Sequence, residues 1–152
     1  MPFRFVRLVP VLLAAAVVLA GLGASVASAT FYKTVRPTLQ LHFSTKHHRL
    51  INIEGKVRLT CDDGGVYPSW PFSTDGDPVG YGPRGHFSYH RGDLTSTGET
   101  SRGLQGRVAD QVVRGRLFYR LREQPGGRPP ASRCWTGRSY RDPWVRFAAR
   151  RQ

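Results

Sequence analysis

Residues 39–61 read Leu-Gln-Leu-His-Phe-Ser-Thr-Lys-His-His-Arg-Leu-Ile-Asn-Ile-Glu-Gly-Lys-Val-Arg-Leu-Thr-Cys. The odd positions carry Leu39, Leu41, Phe43, Ile51, Ile53, Gly55, Val57, Leu59 and Cys61, and the even ones include His42, Asn52, Glu54, Lys56, Arg58 and Thr60. Successive side chains of a strand point to opposite faces, so a period of two marks strands with one face buried. The stretch predicts two strands, 39–43 and 50–61, joined by the polar turn 44–49. Gly55 is the expected place for a bulge in the longer strand. Cys61 falls on the core face.

Downstream, residues 62–85 are crowded with Gly and Pro and read as a long irregular loop, of the kind that often carries function. A short strand at 86–90, with Phe87 and Tyr89 on one face, precedes a polar stretch to residue 102. Leu104, Gly106 and Val108 then suggest a strand, which leads through Ala109-Asp110-Gln111 into another at 112–122. That strand turns Val113, Gly115, Leu117, Tyr119 and Leu121 inward and Arg114, Arg116, Phe118, Arg120 and Arg122 outward. Pro125-Gly126-Gly127 and Pro129-Pro130 interrupt regular structure. Closing strands follow near 134–137 and 144–148. No apolar stripe of helical period persists, so little or no helix is expected. Many short strands with Gly/Pro punctuation predict an all-β antiparallel sandwich or small barrel. Cys61, Trp70 and Cys134 mimic an immunoglobulin order, but Trp70 stands among prolines and Ser132 occupies the place of the corner tyrosine.

Upstream, Arg4 and Arg7 precede an apolar run at 8–22 and the ending Ala27-Ser28-Ala29. This order predicts a signal peptide over 1–29, cut after Ala29, with an uncleaved membrane anchor as the rival. The division is then a short extension at 30–38 and one domain at 39–150, large enough for a single modest core. The expected product is secreted and has no permanent membrane span; its oligomeric state is left open. Export favours a disulfide between Cys61 and Cys134, the only cysteines. Closing a loop of 73 residues would stabilise the fold by about 4 kcal/mol on the chain-entropy account.

The tail, with Gly106 and Gly115 bracketing a hairpin, a basic-apolar strand, Cys134-Trp135-Thr136-Gly137 and Trp144-Val145-Arg146-Phe147-Ala148-Ala149-Arg150, resembles that of uncharacterised secreted β-sandwich proteins of high-GC bacteria. The likeness spans about residues 50–150. It implies fold, export and support for the Cys61–Cys134 bridge, and it carries no activity or site residues.

Charge narrows the function classes. The chain holds 23 Lys+Arg against 10 Asp+Glu. Residues 30–101 contain 8 basic and 7 acidic side chains, whereas residues 102–152 contain 13 and 3. The positive potential therefore belongs to the C-terminal third and attracts anions. On the outward row Arg114, Arg116, Phe118, Arg120 and Arg122, cations recur about 6.8 Å apart, and guanidinium forks match phosphate or carboxylate. The leading expectation is non-catalytic binding of an anionic polymer or membrane surface, with no specific nucleic acid as target. A solvated face, with arginine stems covering Phe118, is the plain alternative. The loop aromatics Tyr67, Trp70, Phe72 and Tyr81 make a second candidate, a sugar-stacking platform, unless they cover an end of the core.

Other motifs are weaker. Asp62, Asp63, Asp75 and Asp77 lack an EF-hand spacing. His86 and His90 would lie about 13 Å apart in a strand, and His47-His48 sits in a turn. No metal or cofactor is expected. Arg91-Gly92-Asp93 reads as a hairpin turn rather than an adhesion motif. No nucleophile elbow occurs, and Glu54, Glu99 and Glu123 are isolated, so a hydrolase is the third and weakest reading.

Overall fold

The 39–61 stretch folds as a hairpin of β2 (Leu39–Lys46) and β3 (Arg49–Cys61). His47 and His48 make its two-residue turn, both with positive φ (48° and 58°), the hand that suits the twist of a tight hairpin. The bulge is at Asn52, not at Gly55. Pairing passes from His42↔Glu54 to Ser44↔Ile51, so β3 holds one residue more than β2, and Asn52 has φ 52°. The extra residue moves burial from an even position, Leu50, to the odd positions Ile53, Val57, Leu59 and Cys61. Gly55 answers a different need, because a Cβ there would collide with the Gln40 carbonyl oxygen of β2.

The computed structural model describes residues 29–34, 39–95, 98–123 and 132–152. The expected signal segment, Ala29 excepted, and the Pro-rich 124–131 lie outside them. Residues 30–34 are not an extension: β1 (Thr30–Thr34) lies between β2 and β10 (Val145–Arg151). Nor is 62–85 a loop throughout, since β4 (Val66–Ser73) and the two-residue β5 (Val79–Gly80) both run antiparallel to β3. β4 accepts two prolines because β3 is its only strand partner among the described residues and Pro68 falls where the register shifts. The polar stretch after residue 90 is likewise strand. β6 (His86–Thr95) and β7 (Gly98–Ala109) pair from His86↔Arg107 to Thr95↔Gly98, so Arg91-Gly92-Asp93 sits within a strand and makes no turn.

β8 (Val112–Glu123) organises the molecule. One edge pairs with β7 along its whole length. The other is shared in tandem by β10, over Val112–Leu117, and by β9 (Arg133–Trp135), over Arg120–Arg122. The order β10-β1-β2-β3-β9-β8 is closed by β10 on β8, giving a six-stranded antiparallel barrel. β7 and β6 extend from β8, and β4 and β5 from β3. Closure leaves the ring without free edges. The described residues contain no helix.

The disulfide joins Cys61 and Cys134, directly paired in register on β3 and β9. Around it the core gathers Leu39, Leu41, Phe43, Leu50, Ile53, Val57, Leu59, Phe72, Leu104, Val113, Leu117 and Phe147. Each such side chain contributes about 1.5–3 kcal/mol on burial. Gly115 lets Phe147 pack against β8; a Cβ there would come 2.9 Å from that ring.

Candidate anion-binding face

The alternation of β8 places its residues as the sequence predicts, with Val113, Leu117, Tyr119 and Leu121 buried. The opposite face presents Arg114, Arg116, Phe118, Arg120 and Arg122. Phe118 departs from expectation in being only 5 % exposed. Its ring covers the facing Gly103, where a Cβ would strike it. Trp144 meets it edge-on at 4.7 Å between centroids, and His90 tilts against it at 5.5 Å. Phe118 is thus a support for neighbouring cations rather than a free stacking ring.

The guanidiniums rest on aromatic faces. Arg116 lies 4.6 Å from the Trp144 centroid, and Arg120 sits between Phe118 and Tyr140 at 5.4 and 5.3 Å. Arg133 approaches Tyr140 at 5.7 Å, and Tyr140 in turn packs edge-on against Trp135. Such contacts are each worth about 0.5–1 kcal/mol at exposed sites and fix the heading of a flexible side chain. The Gln105 amide, its oxygen turned to Arg116, accepts from Nε and Nη2.

Register shows how far the positive face extends. Directly paired residues on antiparallel strands share a face. The pairs Arg107↔Arg114, Arg116↔Arg146 and Arg122↔Arg133 each set two arginines side by side. Arg107, Arg133 and Arg146 thereby join the four arginines of β8. None of the seven has a carboxylate oxygen within 4.0 Å among the described residues. Glu99 stands opposite Arg122 in register and still makes no ion pair among the described residues. Like charges directly opposite destabilise a sheet, so the bare protein holds an uncompensated charge here.

Part of this face is concave. His86, Ser88, Gln105, Arg107, Arg114, Arg116 and Arg146 line an open groove of about 540 Å³ whose floor includes Phe87, Gly106 and Gly115. Arg107 and Arg146 were plain in the sequence as single basic residues. Their convergence on β8 was not, because it depends on which strands pair.

The other candidates are engaged elsewhere. Phe72 is 1 % exposed in the core. Tyr67 and Trp70 meet edge-on, Trp70 leans on Tyr119, and the Tyr67 hydroxyl donates to Glu123 at 3.2 Å. That carboxylate pushes the Tyr67 phenol above its ordinary pKa. Tyr81 packs partly buried against the core and bridges to Phe87. These rings cover the core and form no open platform.

The acidic candidates do not gather around a metal. Asp75 receives bonds from Ser73 and Arg102, and Asp77 receives Arg91 at 2.9 Å. Asp93 binds both Arg91 and Arg102, at 2.9 and 3.0 Å. Arg91 and Asp93 of the adhesion-like tripeptide therefore hold each other. Asp62 caps the Arg133 amide, and Asp63 accepts from the Gly65 amide and the Ser132 hydroxyl. Among the described residues, no three His, Cys, Asp or Glu side chains come together as a metal site.

No protein-family model, curated protein or solved structure matches the chain. The face must be read from its own chemistry.

Proposed function

We propose that this is a secreted, non-catalytic domain that binds an anionic envelope or extracellular polymer through the basic face of β8. The observation that carries the reading is the set of seven arginines on one face of a barrel, none paired with a carboxylate among the described residues. A merely solvated face would disperse its cations among acids. Here three cross-strand pairs are arginine on arginine, and aromatic rings orient Arg116, Arg120 and Arg133. The disulfide is compatible with an extracellular location, and the signal-like order of residues 1–29 supports export.

Titration of the purified chain with heparin, a model polyanion, at several salt concentrations tests the reading. Arg114→Ala with Arg120→Ala should weaken binding and lower the slope of log affinity against log salt by about 2, one for each lost contact. An unchanged dissociation constant and slope would remove the proposal.

A further inference from the structure

We infer that the groove between β6, β7, β8 and β10 is a discrete site for a doubly charged phosphate group, either a phosphomonoester or a diphosphate. This rests on the reading of the face as anion-binding and narrows it to one place and one chemistry. The groove receives two cross-strand arginine pairs, Arg107↔Arg114 and Arg116↔Arg146. Cβ atoms so paired lie about 4.5–5.5 Å apart, and the two pairs are about 6.8 Å apart along β8. All four arginines line the groove, and among the described residues no carboxylate does.

Two of the four are already held. Arg107 Nε donates to the Arg84 carbonyl at 3.1 Å, and Arg116 is fixed by Gln105 and Trp144. Side chains held in advance lose less freedom when an anion arrives. Arg114 and Arg146 have no hydrogen bond or ion pair from their side chains among the described residues, leaving both forks for a ligand. Ser88 and His86 stand at the same wall.

The count of charges selects the ligand. A phosphomonoester concentrates nearly two negative charges and three acceptor oxygens on one centre, enough for forks from two sides. A polymer with single carboxylates places one charge at a time and leaves most of the four arginines facing each other. A groove of about 540 Å³ also has room for the group that bears the phosphate.

Calorimetric titration of the purified, disulfide-bonded chain with glycerol phosphate, pyrophosphate and succinate at one ionic strength tests the site. Both phosphates should bind once per chain, and succinate, a charge control, about 10-fold more weakly or worse. Arg114→Gln with Arg146→Gln should weaken phosphate binding by about 30-fold, while Arg122→Gln with Arg133→Gln, a pair outside the groove, should cost less than about 3-fold. Circular dichroism and melting curves verify that each variant is folded. Arg146→Lys, which keeps the charge and loses the fork, should fall between these limits. Equal losses from the two double variants, or succinate binding as tightly as phosphate, would overturn the groove while leaving heparin binding intact. Failure of the unsubstituted chain to bind heparin would take the wider reading with it. Vesicles containing phosphatidic acid, matched in phosphate to free glycerol phosphate, distinguish a lipid headgroup from a free group; binding of either supports the site, and binding of neither overturns it.

Discussion

Asn52 occupies a left-handed conformation at the bulge of β3. Asn tolerates it at small cost, whereas a β-branched side chain there is strained. Asn52→Ile should destabilise the protein by about 1–2 kcal/mol, and Asn52→Gly should stay within about 0.5 kcal/mol; urea midpoints measure both. This residue also shows where sequence reading stops. In the sequence Asn52 opens the polar row Asn52, Glu54, Lys56, Arg58 and Thr60, and nothing separates a solvent-facing asparagine from one at positive φ. Gly55 invited the bulge instead, since a glycine signals either an irregularity or a close approach and only the partner strand decides which. Phe118 was placed on the correct face and given the wrong exposure, because the rings that cover it, Trp144 ahead of β10 and His90 of β6, come from distant parts of the sequence.

At the scale of elements, the β6–β7 hairpin is tethered to the turn after β4 by charge. Arg102, 8 % exposed, reaches Asp75 and Asp93, and Arg91 reaches Asp77 and Asp93. The Ser73 hydroxyl first, then the nearby Arg102 and Arg91 cations, hold the Asp75 carboxyl below its ordinary pKa. The Gly65 amide first, then the Ser132 hydroxyl, do the same for Asp63 near the disulfide. Both carboxyls titrate lower in the folded chain than in the unfolded one. Their contribution is therefore complete above the unfolded value of 3.8 and is lost as pH falls through the lower folded values. Melting temperature should hold steady from neutral pH down to about 5 and fall on further acidification. Arg102→Met should cost about 2–3 kcal/mol, because two carboxylates lose a partly buried cation, and should flatten that acid limb. The pairing of these charges explains why a strand was misread as a polar stretch: alternation of apolar residues is only one way to satisfy an inner face. β4 was hidden by its prolines, which an edge strand admits.

The sequence was legible as an antiparallel sandwich or small barrel, and the structure is the barrel. Period-two alternation in 39–61 and 112–122 pointed to antiparallel all-β structure, and two cysteines in a chain expected to be exported pointed to one disulfide. Closure through β1 and β10 was not visible, because neighbours in the ring come from distant parts of the sequence and short strands leave little pattern. The basic face suffered the same limit. Its β8 row could be read directly, while Arg107, Arg133 and Arg146 needed the order of strands. Stability at this scale leans on the link between β3 and β9. Cys61→Ala with Cys134→Ala should cost about 4 kcal/mol, the loop-closure contribution of a 73-residue separation, read from denaturant midpoints of the two proteins.

That link has a consequence for the chain when it is cut. A protease acting between Glu123 and Ser132 would separate residues up to β8 from the fragment bearing β9 and β10, yet Cys61 and Cys134 lie on opposite sides of the cut. The nicked molecule keeps its mass on a non-reducing gel and splits only with reductant. Arg146 would stay beside Arg116 after such processing, held by the β10–β8 ladder and one covalent tie.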